Sequence, residues 1–425
     1  MDETLVRGLL ETALGDEPPI GPLARNSLLA GIRLRRRARI RRATGGAAAV
    51  VVVAAVIPAA TGAFGNGSAG QRPEAPFSVP KVPSVPTGTA YVINSGGGTV
   101  APIDLATNTA GKPIDVSGEP VALTAAPDGK IAYVVSGATS SGSGASSDQT
   151  VTPIDLTTNT AGKPIILTNP EDAMAITPDG KTGYLMNGFP TRTVTPIDLA
   201  TNSVGHPITL NAEPEEIAMA HGGETAYLAV AASTEAKPGS NVTAGGVQAR
   251  YEFVPFNLAT KKLGKPVNLG RAQPEEIAIA PDGKTAYVVS QSASTVITVT
   301  PIDLTTLKTG KLINFSTKPW PKAYYGQPLA IAIAPDGATA YVANSISSTV
   351  TPIDLATDVL GKPISLSGKP GGDAIAISSN GAAAYVANQP SSTVTPIDLS
   401  TNTAEKPIKI GSGWDSGFEA IVTVP

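Results

Sequence analysis

The chain has 425 residues, no cysteine, two histidines and a net charge of −3. Without thiols it has no disulfide bridges or thiolate metal ligands, and two histidines argue against a multi-histidine zinc or haem site. Charged residues make up 15% of the chain, below the roughly 25% of typical soluble domains, and basic residues cluster in one place only. We therefore expect packing to stabilise the fold, with no cofactor beyond a possible divalent cation and no nucleic-acid partner.

Residues 1–42 are predicted to form a helical, arginine-rich tail in the cytoplasm. Leu5, Leu9 and Leu14 recur at helical spacing, and residues 33–42 contain seven arginines. An arginine tract can also bind nucleic acid, but membrane topology explains it better when an apolar segment follows directly.

Residues 43–64 are predicted to be a single transmembrane helix. These 22 residues carry no charge and match the roughly 20 needed to cross a bilayer. The arginines place the N-terminus in the cytoplasm and the remaining chain outside the cell. The alternative is a cleaved secretory signal ending near residues 60–63, although its basic region is long for a signal. Residues 65–88, with five prolines, predict a semi-stiff spacer.

From residue 89 onward the chain repeats one pattern, which contains Thr-Pro-Ile-Asp or a close variant. Its acidic residue recurs at Asp104, Asp155, Asp198, Asp303, Asp354 and Asp398, with Asn257 at the corresponding place in one copy. Asp104 and Asp398 are six intervals apart, or about 49 residues per repeat, which is the period of propeller blades. The sequence thus predicts an all-β, seven-bladed propeller over residues 89–425.

Each repeat is predicted to contain four strands, a to d from the inside outward. In one copy, residues 277–280 alternate large and small side chains as strand a, and a Pro-Asp-Gly turn leads into strand b at 285–290. Strand c covers 299–304, and a short strand d follows. Pro301 cannot donate a hydrogen bond, so its nitrogen should face a gap or the outer side of the blade. The repeated aspartates are predicted to accept turn N–H groups rather than to act in catalysis.

Strand b begins with a recurring tyrosine. It reads Tyr-Val-Ile-Asn at 91–94 and Tyr-Val-Ala-Asn at 341–344 and 385–388. With the Pro-Asp-Gly and Thr-Pro-Ile-Asp elements, these residues resemble the YVTN-type β-propeller repeat family of bacterial and archaeal surface proteins, over about residues 89–425. The resemblance implies a seven-bladed propeller, sometimes exposed on the cell surface, and implies no particular reaction. Two copies depart from it, at His221 and at Asn257.

The two ends of the repeat region predict how the ring closes. The first repeat starts directly with a strand b at 89–94, and residues 418–424 look like a strand a. Pairing these two strands completes one blade and removes exposed sheet edges.

The two faces of the propeller differ in their loops. Turns a–b and c–d are short and uniform, whereas the other face carries the b–c loops and d–a crossovers. The segments of irregular length on that face are the b–c loops 137–149, 231–250 and 291–295 and the d–a crossovers 316–327 and 411–417. Loop variation on a rigid scaffold often carries function, although drift of tolerated insertions produces the same pattern.

Two sets of candidate site residues fall on this face. The aromatic residues predicted to bind an envelope protein or glycan are Trp320, Tyr324, Tyr325, Trp414, Tyr251 and Phe189. The acidic residues predicted to ring the mouth of the central channel are Asp172, Glu215, Glu275, Asp373 and Glu419. The acids could hold a divalent cation or a basic group. The alternatives are aromatic rings that fill gaps under crossovers and carboxylates that simply solvate the rim.

The sequence favours a binding module over an enzyme. His206 and His221 are placed on the uniform face, away from the acids, and the chain has neither a glycine-rich phosphate loop nor a Gly-x-Ser-x-Gly elbow. We expect a single-pass, membrane-anchored extracytoplasmic propeller that binds a ligand at the cell envelope. The alternative is a metal- or cofactor-dependent propeller enzyme, lactonase-like or quinoprotein-like.

Overall fold

A computed structural model describes residues 87–137, 149–167, 173–187, 191–232, 250–292, 296–315, 329–345, 347–366, 372–388, 391–410 and 420–424. They form seven antiparallel sheets of five strands each. The predicted tail, transmembrane segment and nearly all of the spacer lie outside these residues. Within them, no helix is long and apolar enough to cross a membrane.

The seven sheets are the blades, numbered 1 to 7 in chain order of their second strands. The innermost strands, one per blade, are β35 (Ile421–Val424), β5 (Glu119–Ala125), β10 (Ala173–Ile176), β15 (Glu213–Met219), β20 (Gln273–Ile279), β25 (Leu329–Ile333) and β30 (Ala374–Ile377). The second strands are β1 (Thr89–Asn94), β6 (Ile131–Gly137), β11 (Thr182–Asn187), β16 (Thr225–Ala232), β21 (Thr285–Gln291), β26 (Thr339–Asn344) and β31 (Ala383–Asn388). The third strands are β2 (Thr99–Asp104), β7 (Gln149–Asp155), β12 (Thr193–Asp198), β17 (Arg250–Asn257), β22 (Ile297–Asp303), β27 (Thr349–Asp354) and β32 (Thr393–Asp398).

The outer edge of each blade differs from the prediction of one short fourth strand. Two short segments pair with the third strand in every blade. They are β3 (Thr109–Ala110) and β4 (Ile114–Asp115), β8 (Thr160–Ala161) and β9 (Ile165–Leu167), β13 (Ser203–Val204) and β14 (Ile208–Thr209), β18 (Lys262–Leu263) and β19 (Val267–Gly270), β23 (Lys308–Thr309) and β24 (Ile313–Asn314), β28 (Val359–Leu360) and β29 (Ile364–Ser365), and β33 (Thr403–Ala404) and β34 (Ile408–Lys409).

Proline in the third strand explains this break. The carbonyl of Pro102 accepts a hydrogen bond from the N–H of Gly111, at 2.8 Å. The N–H and C=O of one strand residue point the same way, so the nitrogen of Pro102 also faces the outer segments, where it has no hydrogen to offer. The same outward bond is made by Pro153, Pro196, Pro255, Pro301, Pro352 and Pro396. The predicted orientation of the prolines is confirmed.

The ring closes as the sequence predicted. Strand β35 pairs antiparallel with β1, with Ile421 opposite Val92 and Val422 opposite Tyr91. The N–H of Ile93 donates to the carbonyl of Ala420, at 3.2 Å. Adjacent innermost strands contact one another around the whole ring. We call the space that they enclose the central channel.

The core lies between the blades, where small residues of one innermost strand face large residues of the next. Ala278 and Ala280 of blade 5 share a buried cluster with Ile331 and Ile333 of blade 6. The strand-b tyrosines are buried as well, with Tyr385 fully inaccessible. The Tyr385 hydroxyl donates to the carbonyl of Leu105 in the next blade, at 3.1 Å. The Tyr91 hydroxyl likewise donates to the carbonyl of Leu156, at 3.1 Å, so these two tyrosines link neighbouring blades.

The repeated aspartates act as turn acceptors, as predicted. Oδ1 of Asp303 accepts hydrogen bonds from the N–H groups of Thr305 and Thr306, at 2.9 and 2.7 Å. Hydrogen bonds from Thr306 lower the pKa of Asp303. In blade 4, Oδ1 of Asn257 accepts from the N–H of Thr260, at 2.7 Å, so the turn needs the acceptor and not the charge.

Candidate functional site

One position on the innermost strands breaks the seven-fold pattern. In each blade, this residue lies opposite the second residue after the tyrosine of the second strand. The two residues are paired in six blades, and in blade 1 a backbone hydrogen bond joins them. Five blades have alanine there: Ala122, Ala173, Ala330, Ala374 and Ala420. Blades 4 and 5, which are adjacent, have Glu216 and Glu276. A departure confined to two neighbouring blades is the expected form of a site built on a repeat scaffold.

Both glutamates follow a β-bulge. The pairing of β15 with β16 shifts register between Pro214 and Glu216, and that of β20 with β21 shifts between Pro274 and Glu276. Bulges change the direction in which a side chain points. Strand β5 has the same bulge and continues with alanine, so the backbone shape is part of the scaffold and the glutamate is the variable element.

Glu276 reaches from blade 5 to blade 6. Its Oε2 accepts a hydrogen bond from the N–H of Ile331, at 2.6 Å. The side chain is 1% exposed. Its other oxygen, Oε1, is buried and has no hydrogen-bond partner. Ile331 lies on the innermost strand, so the carboxyl group is held against the inner edge of blade 6.

Glu216 makes a similar arrangement one blade earlier. Its Oε1 accepts a hydrogen bond from the N–H of Ile217, at 3.1 Å, and the side chain is 1% exposed. Its Oε2 is buried without a hydrogen-bond partner. Each glutamate therefore has one satisfied and one unsatisfied oxygen. Buried polar atoms are paired in the great majority of cases, which makes two such atoms in adjacent blades unusual.

The electrostatics of the two carboxyl groups are coupled. Burial raises the pKa of Glu216 well above its usual value, and the negative charges of Glu275 and Glu215 add to this effect. Burial also raises the pKa of Glu276, and the charge of Glu216 raises it further. The hydrogen bond from Ile331 acts in the opposite direction but is outweighed. Both groups therefore keep their protons to higher pH than an exposed glutamate does.

Two members of the predicted acid ring lie beside this pair. Glu215 and Glu275 are half-buried at the two bulges. Asp373 is 8% exposed just before β30, and its N–H donates to the carbonyl of Ala387, at 3.0 Å. Asp172 and Glu419 lie outside the described residues. In the part of the chain that is described, no three histidine, aspartate or glutamate residues group as metal ligands.

Sequence reasoning missed Glu216 and Glu276 by one position. The acid ring was read from the column that contains Glu215 and Glu275. When the repeats are aligned, the next position is alanine in five blades and glutamate in two. That contrast was the available signal, since a charged residue at a position that is otherwise alanine cannot be explained by packing.

Most of the predicted aromatic site lies outside the described residues: Trp320, Tyr324, Tyr325, Trp414 and Phe189. Tyr251 is described and belongs to β17, opposite Ala231. It is 8% exposed. Such burial favours the alternative in which this ring fills the blade rather than contacting a ligand.

The two histidines lie away from the glutamate pair. His221 begins the half-buried turn after β15, on the a–b side. His206 is exposed between β13 and β14. It therefore lies on the outer rim of blade 3 and not in the c–d turn to which the sequence assigned it, because the outer strand is split at that point.

Comparisons with known proteins identify the fold. The chain is similar to hydrazine synthase of Kuenenia stuttgartiensis, with a TM-score of 0.59 and 19% identity over 77% of this chain and 99% of that one. It is similar to the periplasmic gluconolactonase PpgL of Pseudomonas aeruginosa, with a TM-score of 0.56 and 18% identity over 80% and 99%. It also matches the dihydro-heme d1 dehydrogenase NirN, with a TM-score of 0.51 and 18% identity over 79% and 66%.

At these identities the similarity concerns the fold alone. No protein-family model matches the chain, and no curated protein matches it. The described residues form an all-β, seven-bladed propeller, and membership of the YVTN-type family stays a prediction.

Proposed function

We propose that this chain is a membrane-anchored, extracytoplasmic binding module of the cell envelope, and that its ligand binds in the central channel beside Glu216 and Glu276. The observation that carries this proposal is the replacement of alanine by glutamate in two adjacent blades, with an unpartnered buried oxygen on each. An unpaired buried polar atom costs about 1–3 kcal/mol. Groups that oppose stability in this way are common where a protein binds a ligand.

The surface around the site also fits a binding role. Strands β15 and β20 begin at the face that carries the b–c loops and d–a crossovers, and the two glutamates lie at the middle of each strand. Variable loops on one face of a rigid scaffold are a common way to build a binding surface. We expect the envelope protein or glycan predicted from the sequence to contact this face.

The cellular location is tested by cysteine labelling, for which a cysteine-free chain is well suited. Lys112→Cys places a thiol on an exposed site of blade 1. We expect a membrane-impermeant maleimide to label it in intact cells. A matched variant in the predicted tail, Ser27→Cys, should be labelled only after lysis. Labelling of Lys112→Cys only after lysis would reject an extracytoplasmic propeller.

Ligand binding is tested with the full chain in detergent and a soluble extract of the cell envelope that contains its proteins, glycans and small molecules. We expect the extract to raise the melting temperature of the wild-type protein. The double variant Glu216→Ala/Glu276→Ala restores the residue found in the other five blades and should show no rise. An equal rise in both proteins would place the ligand elsewhere, and no rise in either would reject an envelope ligand.

A propeller enzyme is the second candidate, supported by a specific observation. Buried carboxyl groups with a raised pKa suit general acid catalysis near neutral pH, and both glutamates have this property. One fold neighbour is a gluconolactonase. Hydrolysis of glucono-δ-lactone by the full chain, lost in Glu276→Gln, would favour the enzyme. Background hydrolysis only would favour the binding module.

A further inference from the structure

The chemistry of the glutamate pair points to a cationic ligand. The charges that act on Glu216 come from Glu275 and Glu215, and the charge that acts on Glu276 comes from Glu216. All of these groups are acidic. Two carboxyl oxygens, Oε2 of Glu216 and Oε1 of Glu276, remain as acceptors without a partner. A cation bound between these groups would favour the ionised form of a carboxyl group and would find an acceptor at the same place.

Both carboxyl groups accept hydrogen bonds from backbone N–H groups on the inner edge of the innermost strands. In blade 1, the carbonyl of Ala420 accepts a hydrogen bond from the N–H of Ile93 in β1. The backbone groups at this position therefore face the second strand. The next residue along the strand faces the opposite way, toward the axis. Ile217 and Ile331 occupy that next position. The N–H of Ile217 donates a hydrogen bond to Glu216, and the N–H of Ile331 donates one to Glu276. The carbonyls of Ile217 and Ile331 face the axis with them.

The depth of the site limits the shape of the ligand. Glu216 is the fourth residue of β15, which places it roughly 10 Å along the strand at about 3.3 Å per residue. Glu276 is likewise the fourth residue of β20. Both side chains are 1% exposed. A ligand group that reaches them must therefore be small in cross-section and carried on a narrow stem.

We propose that Glu216 and Glu276 bind a primary ammonium group carried on an unbranched alkyl chain. This inference rests on the proposed function, because it names the ligand class of the same site. An ammonium group has three N–H donors, which match the unpartnered oxygen of the ionised carboxyl group and the edge carbonyls of Ile217 and Ile331. A guanidinium group is broader and planar, and calcium takes six to eight oxygen ligands.

Charge balance supports the same ligand. The two carboxyl groups repel each other, so ionisation of both is unfavourable in a buried site. One ammonium group and one retained proton make the pair electrically neutral. The ammonium group is carried either by a free polyamine or by a lysine side chain of a partner protein.

Isothermal titration of the full chain in detergent tests the proposal with three probes. Spermidine represents a free polyamine, a short peptide ending in two lysines represents a protein side chain, and calcium chloride represents a metal ion. Glu216→Gln and Glu276→Gln preserve side-chain size and the acceptor for the backbone N–H but remove the charge. We expect an amine probe to bind the wild-type protein and each substitution to weaken binding about tenfold or more.

The control is Glu224→Gln, which removes an exposed carboxylate from blade 4 on the a–b side and should leave the affinity unchanged. Binding of spermidine without the peptide, or the reverse, identifies the source of the ammonium group. Equal binding by the Gln variants would overturn the proposal, as would binding of calcium alone or of no probe. If no probe binds while the envelope extract still stabilises only the wild-type protein, the ligand class is wrong and the proposed function stands.

Discussion

Oε2 of Glu276 lies 2.6 Å from the backbone nitrogen of Ile331, so a side chain of blade 5 is attached to the innermost strand of blade 6. In the other blades with alanine at this position, the corresponding contact is a methyl group. The bond satisfies one carboxyl oxygen and leaves Oε1 without a partner inside the protein. The consequences of this arrangement for stability and pH dependence can be measured directly.

Restoring alanine should stabilise the ligand-free protein. Glu216→Ala and Glu276→Ala each remove a buried carboxyl group with an unsatisfied oxygen. We expect each to raise the free energy of unfolding by about 1–2 kcal/mol, because the lost burial penalty exceeds the lost hydrogen bond. Thermal unfolding without ligand is the measurement.

The matched control for this prediction is an alanine-to-glutamate change at an equivalent position. Ala330→Glu introduces a carboxyl group into blade 6 and should destabilise the protein, since that residue is 1% exposed. Lower stability of the Glu→Ala variants would mean that the glutamates are structural.

Stability should fall as the pH rises above the usual pKa of glutamate. The folded-state pKa of both glutamates is raised, so the folded state binds more protons than the unfolded state above the unfolded pKa. Their contribution is therefore fully present below the unfolded-state pKa and is lost as the pH rises through the raised folded-state pKa. Denaturant unfolding at several pH values measures this slope.

The double variant Glu216→Gln/Glu276→Gln should flatten that slope. Asp303→Asn is a suitable control, because hydrogen bonding lowers the pKa of Asp303 and its effect therefore falls below this pH window. A slope that persists in the double Gln variant would assign the pH dependence to other groups.

Tyr385→Phe should weaken the contact between blades 7 and 1. The hydroxyl donates to the carbonyl of Leu105 and to Oδ1 of Asn108, both at 3.1 Å. Loss of the hydroxyl should lower the free energy of unfolding by about 1 kcal/mol. Tyr227→Phe is the control, since the corresponding turn residue of the next blade is Leu307, which has no side-chain acceptor. Equal losses in both variants would exclude the turn asparagine as the cause.

Ile421→Ala should destabilise the closed ring. Ile421 is fully buried in the strand that completes blade 1, and such truncations cost about 2–5 kcal/mol. Val359→Ala, at a side chain that is 50% exposed, should change stability by less than about 0.5 kcal/mol. Similar effects of the two changes, measured by thermal unfolding, would contradict closure by this strand.

Local chemistry predicted much of the scaffold. Asp303 and its equivalents were recognised as turn acceptors because the turn is formed by consecutive residues. The outward orientation of Pro301 follows from its missing N–H. The split outer strand was missed, because pairing at that edge depends on where each proline falls against its partner segment.

The sequence by itself determined the number of blades, their strand order and the pairing of Ile421–Val424 with Thr89–Asn94, since each follows from a recurring strand pattern with uniform a–b and c–d turns. Only the tertiary structure decided which of two consecutive glutamates is buried. In a strand, neighbouring side chains point to opposite faces, and the bulge at Glu215 moves that alternation by one residue. Each face of a blade is covered by the adjacent blade, whose residues lie about 50 positions away in the sequence. Glu216 and Glu276 therefore come together only when the ring assembles.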